Sequence, residues 1–315
     1  MAIQVVRTWM SWIAVTPFVL WAAVRVSGFE PDWPWVPVVA YTPYAAGAAA
    51  LGGLLALALR RPVAVGAAFW ALVVLGAAVL PRALSDGNPA AGGPALRVLA
   101  ANLLVGRADT AELMGLVRRL RPDVLTLQEF TPGAMRRLEE AGVREALPYA
   151  VTRAREGVGG SAVYARHPLT AGRAISLGGF GQARAWLRHP GGARVEIVSV
   201  HPCAPKRYGR QPCWEDGLDA LPRGGGALRV LAGDFNATLD HLPMRELLAA
   251  GYRDAADVMG RGLTATWPQE GSQQRLPGVA IDHVLADGRM AVRDFAVLSL
   301  GRTDHRPVFA ELALP

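Results

Sequence analysis

LRVLAGDFNAT, residues 228–238, reads as a buried strand that ends in a burst of polar groups. Leu228, Val230 and Leu231 supply β-branched and apolar bulk, and Gly233 lets the backbone turn or approach something closely. Asp234 and Asn236 stand two apart, so on an extended chain they point to the same side. A carboxylate beside an amide is a poor choice for a core. It is a good choice for holding a water and a phosphate oxygen. The same pair also makes an ordinary Asp/Asn turn after a strand, so the stretch by itself leaves both readings open.

Upstream, LRVLAAN at 96–102 nearly repeats LRVLAGD at 228–234. Each run ends by exchanging apolar residues for a polar one, Asn102 and Asp234. The repeat predicts two similar half-domains, each sending a central strand to a shared rim. Between them the spacing of Leu113, Leu116, Val117 and Leu120 predicts a helix over 109–120, with Asp109 as cap and Pro122 as stop. PDVLTLQEF, 122–130, is then a buried strand ending in Gln128–Glu129, and a carboxylate there needs a partner or a metal. A helix at 131–142 and strands near 148–152, 160–166, 171–177, 183–188 and 194–201 follow, the last ending on His201. After the opening stretch come a helix near 242–250 and strands near 279–285, 291–298 and 307–313. The sum is an α+β sandwich with its sheets packed face to face.

The N-terminal third is different. Residues 1–94 hold only Arg7, Arg25, Glu30, Asp32, Arg60, Arg61, Arg82 and Asp86 as charges. Apolar runs predict about three transmembrane helices, spanning about 8–27, 36–59 and 62–81. Trp9, Trp12, Trp33 and Trp35 suit interfacial positions. The expected organisation is a membrane region over 1–82, a Gly/Pro-rich linker over 83–95 and a catalytic domain over 96–315. Arg7 and the Arg60–Arg61 pair put the N-terminus and the second connection in the cytoplasm, which leaves the C-terminal domain outside. Arg25 and Arg82 dissent from that assignment. Further spans follow the first and no small-residue cleavage site precedes them, so it reads as an anchor rather than a cleaved signal. The net charge of +7 rests on arginine, with Lys206 the only lysine and no dense basic run, so it does not by itself point to nucleic acid.

Cys203 and Cys213 are the only cysteines. The predicted exterior location favours a disulfide between them over two separate thiols, and it would hold the Lys206–Arg207–Arg210 loop near the rim. No Cys₂–His₂ spacing for zinc is present.

Polar residues recur at strand ends through the whole domain: Asn102, Glu129, His201, Asp234, Asn236, then Asp282 in VAIDHVL, then Asp304 and His305 in GRTDHRPVF. Each dipeptide is common by chance; their ordered succession is not. With PDVLTLQE, GGSAVYARHPL, VSVH, GDFNAT, IDHVL and TDHRPV, the chain from about 96 to 313 resembles the endonuclease/exonuclease/phosphatase superfamily, the deoxyribonuclease I-like group. That resemblance implies a four-layer α/β/β/α sandwich and Mg²⁺- or Mn²⁺-dependent cleavage of a phosphate ester. It implies Glu129, Asn102 and Asp304 on the metal side and Asp234 as the group that orients and deprotonates water. It implies Asn236 and His201 as phosphate ligands, His305 as stabiliser of charge on phosphorus and Asp282 as its orienting partner. Thr303 stands where the family commonly has Ser, and the carboxylate that pairs with His201 in some nucleases has no obvious counterpart.

The leading expectation is a membrane-anchored phosphoesterase acting on a phospholipid or another phosphodiester, its partners being the bilayer and its substrate, with no obligate protein partner evident. An extracytoplasmic nuclease acting on DNA or RNA is the alternative, and a non-catalytic binding domain a more distant one. A lipid enzyme needs apolar rim residues, for which Trp186, Tyr208, Trp214 and Trp267 are the candidates, with core packing the expected role of most of them. His167, His189, His241 and His283 read as surface or packing residues.

Overall fold

Val98 and Leu99 are adjacent, and both are fully buried, but in different cores. The same split recurs at Val230 and Leu231. Strands covered on both faces carry apolar side chains in both directions, which is why they read as continuous runs rather than alternation.

The computed structural model describes residues 2–269 and 276–315; Met1 and residues 270–275, inside the expected bounds 1–82 and 96–315, lie outside the described residues. Two six-stranded sheets stack face to face. The first runs, edge to edge, Ala291–Val297, Val308–Ala313, Ala95–Asn102, Val124–Gln128, Ser161–Ala165 and Tyr149–Arg153. The second runs Tyr252–Asp254, Asp282–Asp287, Leu228–Asp234, Arg194–Val200, Arg184–Arg188 and Leu169–Ala171. Each near-repeat strand lies centrally, with a parallel neighbour on one side and an antiparallel one on the other. The half-domain expectation therefore holds at the level of topology.

Helices Thr110–Leu120 and Pro132–Glu140 cover the outer face of the first sheet, and Gln211–Asp219 with Leu242–Ala249 cover that of the second. This is the expected four-layer sandwich. Asp109 caps its helix by accepting from the Glu112 amide at 3.0 Å. Glu112 does not complete a capping box; its carboxylate accepts from the Gly301 amide at 2.7 Å and steadies the loop that carries Asp304 and His305. The sheets are also tied across the core, where Gln128 Nε2 donates to Ser199 Oγ at 2.9 Å. Gly233 is required in its strand: a Cβ there would run into the Val200 carbonyl and the Gln128 amide.

Some boundaries move. The strand expected at 171–177 is two short ones, Leu169–Ala171 in the second sheet and Ile175–Leu177 in a separate hairpin with Phe180–Gln182. The helix Gln211–Asp219 lies within a stretch rich in breakers, because Pro212 occupies a first-turn position where no amide is missed. The linker is pinned along the domain: Asn88 Nδ2 donates to the Val292 carbonyl at 2.8 Å while its Oδ1 accepts from the Val292 amide at 2.9 Å.

The N-terminal helices Ala2–Ser27, Thr42–Ala58 and Pro62–Val79 pack through small residues, Ala22, Ala45, Ala49 and Ala71. Two helices among the described residues, Ala2–Ser27 and Pro62–Ala83, are long and apolar enough to cross a membrane. This corrects the expectation of about three. The run 36–59 is not one helix: Trp35–Val39 is a short helix, the chain turns at Ala40 and Tyr41, and Thr42–Ala58 has 17 residues. Such a helix is about 25 Å long at 1.5 Å per residue, short of a hydrocarbon core of about 30 Å. Val36, Val39 and Ala40 are buried in protein rather than held for lipid, and Ala40 packs on Val279 and Ile281 of the catalytic domain.

Candidate active site

Asn102 and Asp234, the polar ends of the two near-repeat strands, touch: Asn102 Nδ2 donates to Asp234 Oδ2 at 2.9 Å. Asp234 Oδ1 accepts from the Asn236 amide at 2.8 Å, which is the Asp/Asn turn of the plainer reading. Asn236 does not continue extended; its φ is +50°, a conformation Asn tolerates. The turn reading holds, and it does not remove the pair from the rim. The turn aims the pair into a cleft of about 1030 Å³ lined by Glu129, His201, Asp234, Asn236, Asp304 and His305.

Every sequence-expected residue belongs to one connected group. His201 Nε2 lies 3.5 Å from Asp234 Oδ2 and 3.9 Å from Glu129 Oε1. His305 Nε2 lies 3.6 Å from the same Asp234 oxygen and 4.0 Å from Asp304 Oδ1. His305 Nδ1 contacts Asp282 Oδ2 at 2.9 Å. Thr303 keeps the hydroxyl that its position calls for, donating to the Asn102 carbonyl at 2.9 Å and so tying the last loop to the first strand.

The backbone is strained at this rim. Leu104, Val105 and Glu129 all have positive φ, at about 1–2 kcal/mol each for L-residues. The strain has a geometric product: Glu129 Oε2 accepts from the Val105 amide at 2.6 Å, which fixes one carboxylate oxygen and leaves the other facing His201. Strain of this kind clusters at functional sites.

The donor set fits a hard divalent cation. Glu129 and Asp304 supply carboxylate oxygens, and Asp304 Oδ1 is buried with no hydrogen-bond partner among the described residues, while its Oδ2 accepts from Trp267 Nε1 at 3.1 Å. Oxygen-only ligands of this type suit Mg²⁺ or Mn²⁺. Asp234, Asp282 and His305 also bring ligand-type atoms within 4.8 Å of one another. Asp282 is already engaged with His305, so this second grouping reads better as a carboxylate–imidazole–carboxylate relay. Asn102 can contribute only beside its existing contacts, since its Oδ1 accepts from the Leu104 amide at 3.0 Å.

Burial alone would push the His305 imidazole down, but Asp282 and then Asp234 outweigh it and hold it up to about 10. Burial in turn pushes the Asp282 carboxyl up, with His305 opposing. His305 is thus a cation through neutral pH, and its charge is lost only as pH rises through about 10. Asp282→Asn removes the largest raising interaction. The alkaline limb of kcat/KM is expected to fall towards the ordinary imidazole value of about 6.5. A pH–rate profile whose alkaline limb stays in place would exclude His305 as the charged group.

His201 is placed differently from a general acid. Its Nδ1 is buried and has no partner among the described residues, while the Phe180 ring meets it edge-on at 5.1 Å. With no carboxylate on Nδ1 among the described residues to orient it, the ring can turn its Nε2 towards a phosphate. The rim candidates separate. Trp214 is fully buried and donates to the Phe235 carbonyl at 3.3 Å, and Trp186 stacks under Arg194 at 4.3 Å. Of the four, only Trp267 lines the cleft. Cys203 and Cys213 are paired, with Cα atoms 5.8 Å apart, and Lys206, Arg207 and Arg210 of their loop reach the cleft as expected.

Sequence reasoning missed the supports. His283 bridges Asp254 Oδ2 at 2.8 Å and the Ala237 carbonyl at 2.9 Å, holding the loop that follows Asn236. Further along that loop, Asp240 is fully buried and receives both Arg25 and Arg82, and His241 Nε2 lies 2.8 Å from the Val36 carbonyl. The only sequence signal was that Arg25 and Arg82 sat on the wrong side for free loop cations. Asp240 pairs with both and offsets one of their two charges.

The model of the Endonuclease/Exonuclease/phosphatase family matches residues 99–305. No curated protein matches. Among solved structures, an endonuclease/exonuclease/phosphatase from Beutenbergia cavernae is 19% identical with a TM-score of 0.54, over 70% of this chain and 72% of that one. D. rerio TDP2 in complex with a single-strand DNA product is 16% identical with a TM-score of 0.52, over 69% and 98%. An AP endonuclease from Archaeoglobus fulgidus is 16% identical with a TM-score of 0.51, over 68% and 98%. At these identities the structural likeness concerns the fold.

Proposed function

The chain belongs to the Endonuclease/Exonuclease/phosphatase family, whose members are hydrolases acting on phosphodiester bonds, and on that premise we propose that it is a membrane-anchored, divalent-metal-dependent phosphoesterase. The observation that carries the reading is the meeting of Glu129, His201, Asp234 and His305 within 4.0 Å contacts at one cleft. Asp234 takes a proton from water, the water oxygen bonds to phosphorus, and the opposite P–O ester bond breaks; the departing alkoxide takes up a proton from solvent to leave as an alcohol, and Asp234 returns its proton to solvent. Asn236 and His201 hold the phosphate, while the His305 cation, oriented by Asp282, offsets the charge that grows on it. Glu129 and Asp304, with Asn102 beside them, would hold Mg²⁺ or Mn²⁺, which when bound polarises a phosphoryl oxygen.

The anchor is the apolar bundle. Its far end carries Arg61, hydrogen-bonded to Gln4 Oε1 at 2.6 Å, beside Arg60. Its near end carries Arg25 and Arg82, both paired with Asp240, which offsets one of their two charges. The free cations therefore gather at the end away from the catalytic domain, which supports a cytoplasmic far end and a catalytic cleft outside. The Cys203–Cys213 pair suits that compartment. A cleft beside the bundle favours a lipid-linked phosphate ester. The nuclease reading has one observation in its favour, the Lys206, Arg207 and Arg210 side chains at the rim, and it entails a steep loss of binding with salt.

Intact cells expressing the full chain are expected to hydrolyse a membrane-impermeant phosphodiester added outside, with EDTA stopping the reaction and Mg²⁺ or Mn²⁺ restoring it. Activity that emerges only on lysis would overturn the orientation, and insensitivity to EDTA would overturn the metal.

A further inference from the structure

The catalytic cleft is not built by the catalytic domain alone. Trp33, Pro37, Ala40 and Tyr41, from the segment joining the first two long N-terminal helices, line it together with the phosphate-handling residues. Tyr41 and Trp267 pack on the cluster of Ala40, Val279 and Ile281, so the segment and the domain share one apolar surface there.

The segment is fastened on several sides of the cleft. Asp32 Oδ2 accepts from the Gly209 amide at 3.1 Å, and the Glu30 carbonyl accepts from Gln211 Nε2 at 2.8 Å. Glu30 Oε1 accepts from the Leu242 amide at 2.5 Å. Tyr44 donates to the Gly278 carbonyl at 2.8 Å. A loop serving only to connect two membrane helices has no need of these ties. They hold it as a wall.

What the wall faces follows from chemistry and position. The cleft, at about 1030 Å³, sits at the upper end of the roughly 300–1,000 Å³ typical of small-molecule sites, and a phosphate group fills little of it. Its added wall is aromatic and apolar. Trp33 keeps 49% of its surface exposed, and Phe29, Trp35 and Tyr44 beside it are exposed too. Aromatic side chains at the end of an apolar bundle mark the membrane–water boundary. The cleft therefore opens at the level where a bilayer presents phosphate headgroups with their chains attached.

We propose that residues 33–41 are a specificity wall, in which Trp33, Pro37 and Tyr41 hold the hydrocarbon chain of an amphiphilic phosphate ester while Asn236 and His201 hold its phosphate. The assignment rests on the phosphoesterase reading above and names the part of the membrane region that selects the substrate.

The test uses the full chain in detergent with two 4-nitrophenyl alkyl phosphates, methyl and dodecyl, and a single-stranded oligonucleotide. Wild type is expected to show a KM for the dodecyl ester at least about tenfold below that for the methyl ester, since several buried methylenes each contribute about fourfold. In the double variant Trp33→Ala/Tyr41→Ala the dodecyl KM rises about tenfold, with kcat for both esters and KM for the methyl ester unchanged. Trp33→Phe/Tyr41→Phe restores the dodecyl KM. Equal losses on both esters would overturn the proposal in favour of a structural role. An unchanged dodecyl KM, or a raised KM confined to the oligonucleotide, would overturn it as well. Wild type that cleaves neither ester would instead bring down the phosphoesterase reading, and the wall's assignment with it.

Discussion

Asp234→Asn is expected to lower kcat by about 10²–10⁴-fold, the usual contribution of a positioned general base, while KM stays near the wild-type value. The side chain is 1% exposed, and the exchange keeps its volume. What it removes is the ability to take a proton. Of the two hydrogen bonds that Asp234 accepts, from Asn102 Nδ2 at 2.9 Å and the Asn236 amide at 2.8 Å, an amide keeps only one. The lost contact brings a buried donor against a donor, so a modest fall in melting temperature accompanies the kinetic loss. A role in ground-state binding would raise KM and leave kcat in place; a role in the transition state lowers kcat and kcat/KM together. Full activity, or a change confined to KM, would remove Asp234 from the position of base. His305→Ala in parallel separates the two roles, because it should weaken charge stabilisation while leaving the base intact.

The catalytic half of the molecule was legible because its chemistry sits where its sheets stop. Asn102, Glu129, His201 and Asp234 end or follow an apolar strand, whereas Asp282 opens the strand Asp282–Asp287 and the Asp304–His305 pair lies in the loop before Val308–Ala313; the two stacked sheets bring these ends to one rim. The near-repeat of 96–102 and 228–234 gave more than a hint of symmetry, since its two terminal residues are hydrogen-bonded. Apolar runs do not carry layer assignment: Val98 and Leu99 are equally buried on opposite sides of one sheet. The helices on each outer face were needed to count the layers.

The N-terminal part was less legible, for a physical reason. Hydropathy reports that a side chain avoids water, not whether lipid or protein shields it. Val36, Val39 and Ala40 satisfy the first condition through the catalytic domain, so a single span was expected where the chain turns at Ala40 and Tyr41. Trp33 read as an interfacial anchor, which its exposure supports, but nothing local revealed that it also borders the cleft. Asp240 lay in an unremarked polar loop, and its partners are 215 and 158 residues distant. Only the misplaced charges of Arg25 and Arg82 signalled a missing anion, and an orientation rule records such residues as dissent rather than as ligands.

Asp240→Ala is expected to destabilise the protein by about 3–5 kcal/mol, the usual cost of breaking a buried ion pair from one side. Arg82 grips the carboxylate with two nitrogens, Nη1 and Nη2, each at 2.8 Å, and Arg25 Nε adds a contact at 3.2 Å. The Asp240 side chain is 0% exposed and those of Arg25 and Arg82 are 13% and 8% exposed. Removing the anion leaves two nearly buried cations facing each other, where repulsion and desolvation act in the same direction. For a domain of this size the loss corresponds to a fall of about 10 °C in melting temperature, measurable on the detergent-purified chain. The comparison that gives the result meaning is the triple replacement Arg25→Met/Arg82→Met/Asp240→Leu. Replacing a buried ionic group wholly by apolar side chains is often neutral or stabilising, so the triple variant should melt near wild type while the single variant does not. Equal losses in both would mean that volume rather than charge holds the junction, and no loss in the single variant would mean that the ion cluster contributes nothing. Activity adds a second readout. Asp240 shares its loop with Asn236, and His241 joins that loop to the Val36 carbonyl, so the cation repulsion left in Asp240→Ala displaces both Asn236 and the segment that carries Val36. The triple variant removes that repulsion and should recover turnover along with stability, which ties the anchoring of this cleft to its chemistry.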